Sequence, residues 1–345
     1  MSVIARQIGH EAARQIWDCS VEAVALIGQR CLDFDIDCEW QPGFLSVAVG
    51  ARRAAELARW AESLTREYRY ERIRLIEQAE LPRWIASPRY HGAAFDAGGG
   101  HLHPLKYTLG LAQAAARLGA VLFEDSAALE VTPGRPCTVR TAGGRIRCHH
   151  VLLAGNVYLD PLAPRLARRI MPVGTFIAAS APLEGSLAGS LIPSRAAVCD
   201  TQFVLDYFRL SRENRMVFGG RVSYSRLVPP RLPEAMRRRM VKVFPQLAHT
   251  PVEFAWGGYV DITMNRAPDF GRIAPDVYYL QGFSGHGLAL SGMAGRLVAK
   301  AIAGSADRFD VFASLKHRDF PGGRLFRTPA LVLAMAWYRL RDALG

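Results

Sequence analysis

Residues 276–304 constrain the fold of this chain of 345 residues more than any other segment. The run at 277–280 combines β-branched, aromatic and aliphatic residues, which is typical of a buried strand. Gly282, Gly285 and Gly287 then lie within six residues, and apolar residues recur at helical spacing until Gly304, a typical helix stop. A strand, a glycine turn and a helix in this order expose free backbone N–H groups at the helix start, where electron-rich groups bind.

Two known motifs resemble this turn, and neither matches it. A G-x-S-x-G nucleophile elbow needs glycine at the position of His286. A G-x-G-x-x-G dinucleotide fingerprint is excluded because the three glycines of the turn have the wrong spacing. A tight connection without any ligand stays open as an alternative. Gly292 and Gly295 inside the helix each cost about 1 kcal/mol relative to alanine, so we expect the helix to press closely on a neighbour or a cofactor.

The formal charge of +12 is carried almost wholly by arginine, because lysine stands only at positions 106, 242, 300 and 316. The arginine runs at 52–53, 168–169 and 237–239 lie in helical patterns, where such runs are usually solvated faces. No nucleic-acid-binding motif accompanies them, so we expect no nucleic-acid partner. His101 and His103, two residues apart, could be metal ligands, but the nearest further candidates, His91 and Asp96, have no recognisable ligand spacing, so we expect no metal.

The amino terminus has no apolar core of a secretory signal, and the six cysteines form no C-x-x-C pair. Free thiols in a cytoplasmic protein are the simplest interpretation. The apolar stretch at 329–337 is far shorter than the roughly 20 residues that span a bilayer, so it predicts a terminal helix and no membrane span.

Several segments resemble the D-amino-acid-oxidase-like (DAO) family of FAD-dependent oxidoreductases, and within it the γ-glutamylputrescine oxidoreductases. They cover nearly the whole chain in the family's order. They are GHLHPLKY at 100–107, LLAGNVY at 152–158, VFGGRVS at 217–223, AWGGYVDITMNRAPDFG at 255–271 and GFSGHG at 282–287.

The resemblance implies a mixed α/β fold in which a Rossmann-like FAD-binding domain is interleaved with an antiparallel-sheet substrate domain. It assigns 1–32, 98–160 and 251–345 to the FAD domain, and 33–97 and 161–250 to the substrate domain. Within the FAD domain, the pattern predicts a strand at 119–123 and another across 122–131.

The resemblance also implies non-covalent FAD, because no cysteine follows Cys199, and oxidation of an amine C–N bond by hydride transfer to the flavin. Arg266 is the candidate for a carboxylate at the far end of the substrate, unless it pairs with Asp261 or Asp269 and braces the loop. The candidate catalytic residues are His286, Arg266 and Trp256. The candidate cofactor-binding residues are Ala128, Ala154, Gly155, Gly282, Ser284, Gly285, His286, Gly287 and Leu288.

One expected unit is absent from the sequence. The family resemblance calls for a first βαβ unit with a G-x-G-x-x-G turn that holds the FAD pyrophosphate, and nothing in residues 1–50 matches it. We therefore expect weak FAD binding by the chain alone. A non-catalytic remnant, a self-associating chain or a partial subunit completed by an N-terminal FAD-binding fragment is the alternative to an enzyme.

Overall fold

The computed structural model describes residues 1–202, 204–223 and 228–322. The α-helices are α1 Ser2–Ile8, α2 His10–Phe34, α3 Ala51–Tyr68, α4 Pro104–Arg117, α5 Pro164–Ala167, α6 Gly185–Leu191, α7 Leu232–Val243, α8 Gly287–Ile302 and α9 Asp307–Ala313. The strands are β1 Gln41–Ala48, β2 Ile73–Ile76, β3 Gly92–His101, β4 Glu130–Thr132, β5 Cys137–Arg140, β6 Arg145–Cys148, β7 Val151–Leu153, β8 Ile170–Pro182, β9 Ala197–Asp200, β10 Tyr207–Leu210, β11 Arg215–Ser223, β12 Val252–Thr263, β13 Asp269–Ala274 and β14 Val277–Gln281.

The chain divides into two compact units, and the predicted mixed α/β class is confirmed. Unit 1 comprises Met1–Arg30, Leu111–Val173 and the chain from Tyr259 onward. Unit 2 comprises Cys31–Gly110 and Gly174–Gly258. Residues 98–110, which the resemblance assigned to the FAD domain, lie in unit 2.

Unit 2 is built on an eight-stranded sheet in the order β12-β8-β11-β10-β9-β1-β3-β2. From β8 to β2 its neighbouring strands pair antiparallel except for β1 and β9, which run parallel. Alternate residues of each strand face one large apolar core, and on β10 these are Phe208 and Leu210. Tyr207 and Arg209 therefore point to the opposite face of the sheet.

Unit 1 holds the segment that the sequence singled out. β14 is buried along its whole length and lies between antiparallel β13 and parallel β7. Helix α8 packs Met293, Leu297 and Val298 into a core that also contains Phe270 of β13 and Phe312 of α9. A small antiparallel sheet of β4, β5 and β6 is a separate element of the same unit.

The two glycines inside α8 have different surroundings. A Cβ added at Gly292 would lie 2.7 Å from Nη1 of Arg30, and the Arg30 guanidinium donates to the Gly292 carbonyl at 3.2 Å. Nothing described lies within 4 Å of a Cβ added at Gly295. The close neighbour that the sequence predicted for this helix is therefore found at Gly292 and not at Gly295. That neighbour is Arg30 of helix α2.

The predicted strands at 119–123 and 122–131 are wrong in extent, because only Glu130–Thr132 is a strand. Residues 120–129 have no regular structure, and Val121, Leu122 and Phe123 are 73%, 59% and 71% exposed. An isolated strand cannot satisfy its backbone groups without a neighbouring strand, and among the described residues none pairs with this segment.

The predicted terminal helix at 329–337 lies outside the described residues. Within the part of the chain that is described, every helix is too short or too polar to cross a membrane.

Two buried aspartates in unit 2 have opposite electrostatic surroundings. Asp206 forms ion pairs with two arginines: Nη2 of Arg239 lies 2.6 Å from its Oδ1, and Nη2 of Arg89 lies 3.6 Å from its Oδ2. Asp200 accepts backbone N–H groups of Gln202 and Asp206 through Oδ1, while its Oδ2 is buried without a partner among the described residues. Burial raises the pKa of Asp200 to about 6, an effect that the Asp206 charge reinforces and the two N–H donors oppose.

We expect Asp200→Asn to stabilise the protein more at pH 8 than at pH 4.5. Because the folded-state pKa of Asp200 is raised, its contribution to stability is fully present below about pH 4 and is lost as the pH rises through about 6. Asparagine mimics the neutral form, and the unfolded carboxyl is already mostly ionised at pH 4.5, so the difference between the two pH values should reach about 2 kcal/mol in the free energy of unfolding by urea.

Asp206→Asn is the matched control, because it removes the partner of a half-buried guanidinium and should destabilise the protein at both pH values. An equal effect of Asp200→Asn at pH 4.5 and pH 8 would contradict the assignment of a raised pKa.

Candidate functional site

The turn between β14 and α8 has a backbone that few residue types can adopt. Gly282, Ser284 and Gly285 have φ of 77°, 52° and 90°. A Cβ added at Gly282 would lie 2.5 Å from Cγ2 of Thr263 and 3.1 Å from the backbone nitrogen of Asp269. Gly282 is therefore required both by conformation and by crowding, whereas Gly285 has open space where a Cβ would project.

A buried carboxylate on β12 fixes this turn. Asp261 is 2% exposed, and its Oδ2 accepts the backbone N–H of Gly282. Its backbone carbonyl accepts the N–H of Ser284 at 2.9 Å. Burial raises the pKa of Asp261, and hydrogen bonds from backbone N–H groups, first that of Gly282, lower it. One aspartate thus satisfies two main-chain donors that the turn would otherwise bury unpaired.

Thr263 and Ser284 reinforce this brace between β12 and the turn. Their hydroxyl oxygens are 3.3 Å apart, and the Ser284 hydroxyl donates to the Gly282 carbonyl at 3.2 Å. Thr263 donates from Oγ1 to the carbonyl of Ala267 at 2.7 Å. Ser284 was expected to bind cofactor, and the structure engages its side chain inside the protein.

Helix α8 begins directly after this turn with its N-terminus uncapped by any side chain. The N-cap residue His286 donates its backbone N–H to the Phe283 carbonyl at 2.9 Å, and its side chain is exposed and makes no capping bond. The first backbone N–H groups of a helix have no partner within the helix, and they carry partial positive charge. Gly287 and Leu288 therefore present donors beside the open space at Gly285.

The end of β7 lies at the same sheet edge as this turn. β7 and β14 are parallel, with Leu153 opposite Tyr279, so Ala154 and Gly155 follow β7 at the level of Leu280 and Gln281, just before Gly282. The carboxyl ends of parallel strands are the usual position for dinucleotides in such sheets. Ala128 is exposed in the irregular segment before β4, and no described contact joins it to this edge.

Arg266 lies in the tight turn between β12 and β13, with φ of 59° and its N–H donating to the Thr263 carbonyl at 3.1 Å. It forms no ion pair with Asp261 or Asp269, so the bracing alternative is wrong. The Asp269 carboxylate instead accepts hydrogen bonds from the Tyr279 hydroxyl at 2.9 Å and from Nε2 of Gln281 at 2.9 Å. The exposed Arg266 side chain is thus a cation without a described carboxylate partner.

Trp256, the remaining candidate, lies on β12 in unit 2, where its side chain is 49% exposed. Asp261, Thr263 and Asp269, which organise the turn, were missed as site residues. A signal was present, because polar residues spaced by two in an otherwise apolar strand point to one buried face. Across the described residues, no group of three or more His, Cys, Asp or Glu side chains could hold a metal ion.

Residues 2–301 match the sequence profile of the family described as FAD dependent oxidoreductase (DAO). Gamma-glutamylputrescine oxidoreductase of Escherichia coli K12 is 39% identical over 346 residues, which covers 100% of this chain and 81% of that protein. A probable oxidoreductase OrdL of Haemophilus influenzae is 36% identical over 98% of this chain and 78% of its own length.

Solved structures share the fold at lower sequence identity. Glycine oxidase from Bacillus cereus ATCC 14579 superposes with a TM-score of 0.74 at 19% identity, covering 88% of this chain and 85% of that one. L-proline dehydrogenase from P. horikoshii gives a TM-score of 0.73 at 18% identity, over 86% of this chain and 81% of that one.

We expect Gly282→Ala and Gly295→Ala to change stability in opposite directions. Alanine at 282 is strained by its positive φ and crowded against Thr263, so the free energy of unfolding should fall by at least about 2 kcal/mol. Alanine at 295 meets open space in the interior of α8 and should raise it by up to about 1 kcal/mol. Urea unfolding of both variants checks this, and equal destabilisation would contradict the described crowding.

Proposed function

The chain belongs to the DAO family of FAD-dependent oxidoreductases, and we propose that it oxidises the C–N bond of an amine that resembles γ-glutamylputrescine. The observation that carries this proposal is the 39% identity to the Escherichia coli γ-glutamylputrescine oxidoreductase along the whole chain. The enzyme class and FAD dependence follow from the family. The particular amine is the proposed part.

The residues around the glycine turn are suited to one end of FAD. The uncapped start of α8 favours negative charge beside Gly287 and Leu288, and Gly285 leaves space for a bound group. Ala154 and Gly155 at the end of β7 would approach the dinucleotide, and Ala128 the adenine, through backbone atoms. When bound, FAD supplies the two-electron acceptor for amine oxidation.

His286 acts in this proposal through its main chain, because glycines on both sides suggest close approach of the backbone. Gly282 and Ser284 act by keeping the turn in place. His286→Ala should then leave turnover and flavin content unchanged. Lost turnover with flavin retained would assign a catalytic role to the imidazole instead.

The proposed substrate carries a carboxylate far from the oxidised amine, and Arg266 is the proposed contact for that carboxylate. A guanidinium binds a carboxylate through paired N–H donors. Arg266 is free for this role because Asp261 and Asp269 are engaged elsewhere.

The direct test is steady-state oxidation by FAD-loaded protein with an artificial electron acceptor. γ-Glutamylputrescine should be oxidised with a higher kcat/KM than putrescine, which lacks the carboxylate. A preference for α-amino acids over both amines would overturn the assignment of the substrate class and leave the family membership intact.

We expect Arg266→Met to raise KM for γ-glutamylputrescine and to leave oxidation of putrescine nearly unchanged. Loss of one charge-assisted contact should cost about 1.5–3 kcal/mol, or roughly a 10- to 150-fold rise in KM. Arg308→Met is the control, because Arg308 is paired with Glu22 on another surface of unit 1. If both substrates suffer equally from Arg266→Met, Arg266 supports the fold and does not read the carboxylate.

A second candidate function is supported by the exposed apolar residues Val121, Leu122 and Phe123. β7 is an edge strand of its sheet among the described residues, so a further βαβ segment with a G-x-G-x-x-G turn would find unpaired strand backbone at β7, and exposed apolar side chains at residues 121–123. In this case the chain is a partial subunit whose flavin site is completed by that segment.

Flavin content separates the two candidates. Stoichiometric FAD in the purified chain favours a self-sufficient enzyme. Substoichiometric FAD that rises when a separate βαβ segment of a relative is co-expressed favours the partial subunit.

A further inference from the structure

Unit 2 contains a cavity of about 320 Å³ at one end of its eight-stranded sheet. It lies where β1 begins, where β3 ends and where the β10–β11 turn closes. Its volume is at the lower end of the range for small-molecule sites. The lining residues that give it chemical character are Glu39, Trp40, His101, Arg195, Arg209 and Arg212.

Arg209 is the central cation of this cavity. Phe208 and Leu210, the residues on either side of it in β10, face the core. The Arg209 side chain therefore projects from the opposite face of the sheet, where it is half-buried. Within the described ranges its guanidinium has neither a hydrogen bond nor an ion pair, and Glu39 is the carboxylate that acts on it electrostatically. Glu39 is itself bound by the Lys106 ammonium at 2.5 Å. Burial lowers the pKa of Arg209 and the Glu39 charge opposes this effect, yet an arginine stays protonated in proteins, so its positive charge is retained.

Arg195 adds a second guanidinium, and within the described ranges no carboxylate pairs with it. It donates to Oδ1 of Asn214 at 3.0 Å and to the Ser211 carbonyl at 2.8 Å, and both acceptors are neutral. The backbone of Arg195 has φ of 52°, an uncommon conformation for a residue with a side chain. Nε2 of His101 lies 3.0 Å from the Arg195 carbonyl, which accepts only, so the ring donates from Nε2 and helps to hold this backbone.

Two further lining residues are the Trp40 indole, which forms an apolar wall, and Arg212, whose charge is paired with Asp37. The Trp40 indole lies against β3, where a Cβ added at Gly100 would be 2.6 Å from its ring, so its position is fixed by packing. Arg212 is paired with Asp37 at 3.1 Å, and both side chains are exposed. The cavity therefore combines two guanidiniums, Arg195 and Arg209, that no described carboxylate pairs with directly, one aromatic face, and one carboxylate, Glu39, that Lys106 already binds.

We propose that this cavity binds the carboxylate of a small aliphatic acid, with Arg209 as its ion-pair partner and Trp40 covering the methylene chain. Guanidinium groups bind carboxylates through two parallel N–H donors, and a partly buried site strengthens that pair. The carboxylate has two possible sources. It is either the acidic end of the amine substrate, which would rest on the proposed amine oxidation and would replace Arg266 as the contact for that carboxylate, or a separate organic acid.

Glutarate is the probe, and isothermal titration calorimetry on the full chain is the measurement. We expect glutarate to bind the unsubstituted protein at millimolar concentration or below, and the uncharged glutaramide not to bind. This comparison needs no variant. Failure of glutarate to bind, or equal binding of glutaramide, would overturn the proposal.

Variants then place the site. Arg209→Met should weaken glutarate binding at least tenfold, and Arg209→Lys, which keeps the charge, should weaken it less. Arg66→Met is the control, because it removes the same charge from an exposed helix position paired with Glu67 in unit 2, and binding should stay within twofold. Equal affinities of the Arg209→Met and Arg66→Met proteins would show that net charge, not the cavity, attracts the acid.

Kinetics of the FAD-loaded variants distinguish the two sources of the carboxylate. A rise in KM for γ-glutamylputrescine, but not for putrescine, in Arg209→Met assigns the substrate's carboxylate to the cavity. Weakened glutarate binding with both KM values unchanged assigns a separate acid to it. Because glutarate binding is read without turnover, the proposal can fail or hold independently of the proposed enzymatic function.

Discussion

The pairing of the buried Asp261 carboxylate with the Gly282 N–H is the interaction on which the rest of the candidate site depends. Three residues of the following turn have positive φ, so the turn is held by its surroundings and not by intrinsic preference. Asp261 holds it from β12, Thr263 adds a hydroxyl contact, and the buried β14 supplies the fixed end. The uncapped start of α8 is positioned as a consequence, and this is the feature that a negatively charged group would use.

Charge is handled differently at different places in the protein. In unit 2 the buried Asp206 is neutralised by Arg239, while Asp200 nearby lacks a cation of its own and has a raised pKa. Arg209 is a half-buried cation that no described carboxylate pairs with directly. Unpaired buried charge is costly, and the folded protein retains it most often where a ligand or a reaction uses it. The net charge of +12 is thus less informative than the few positions where charge is left unbalanced.

The sequence predicted the strand–turn–helix around Gly282 well, because buried apolar runs, glycines and helical spacing are local signals. It failed at residues 119–123, whose apolar pattern is that of a strand but whose state depends on a partner strand. It also left open whether Arg266 braces the loop, since only the fold shows that Tyr279 and Gln281 occupy Asp269. Asp261 was missed although its spacing by two from Thr263 was a local signal, whereas Arg209 was missed because its role arises from residues distant in the sequence.

Anaerobic mixing of FAD-loaded protein with amines tests the central claim, amine oxidation by this chain, most directly. The flavin absorbance in the visible range reports reduction in a single turnover, without any need to know the natural electron acceptor. We expect γ-glutamylputrescine to bleach it, and faster than putrescine at equal concentration. A flavin that stays oxidised with both amines while FAD remains bound would contradict the account.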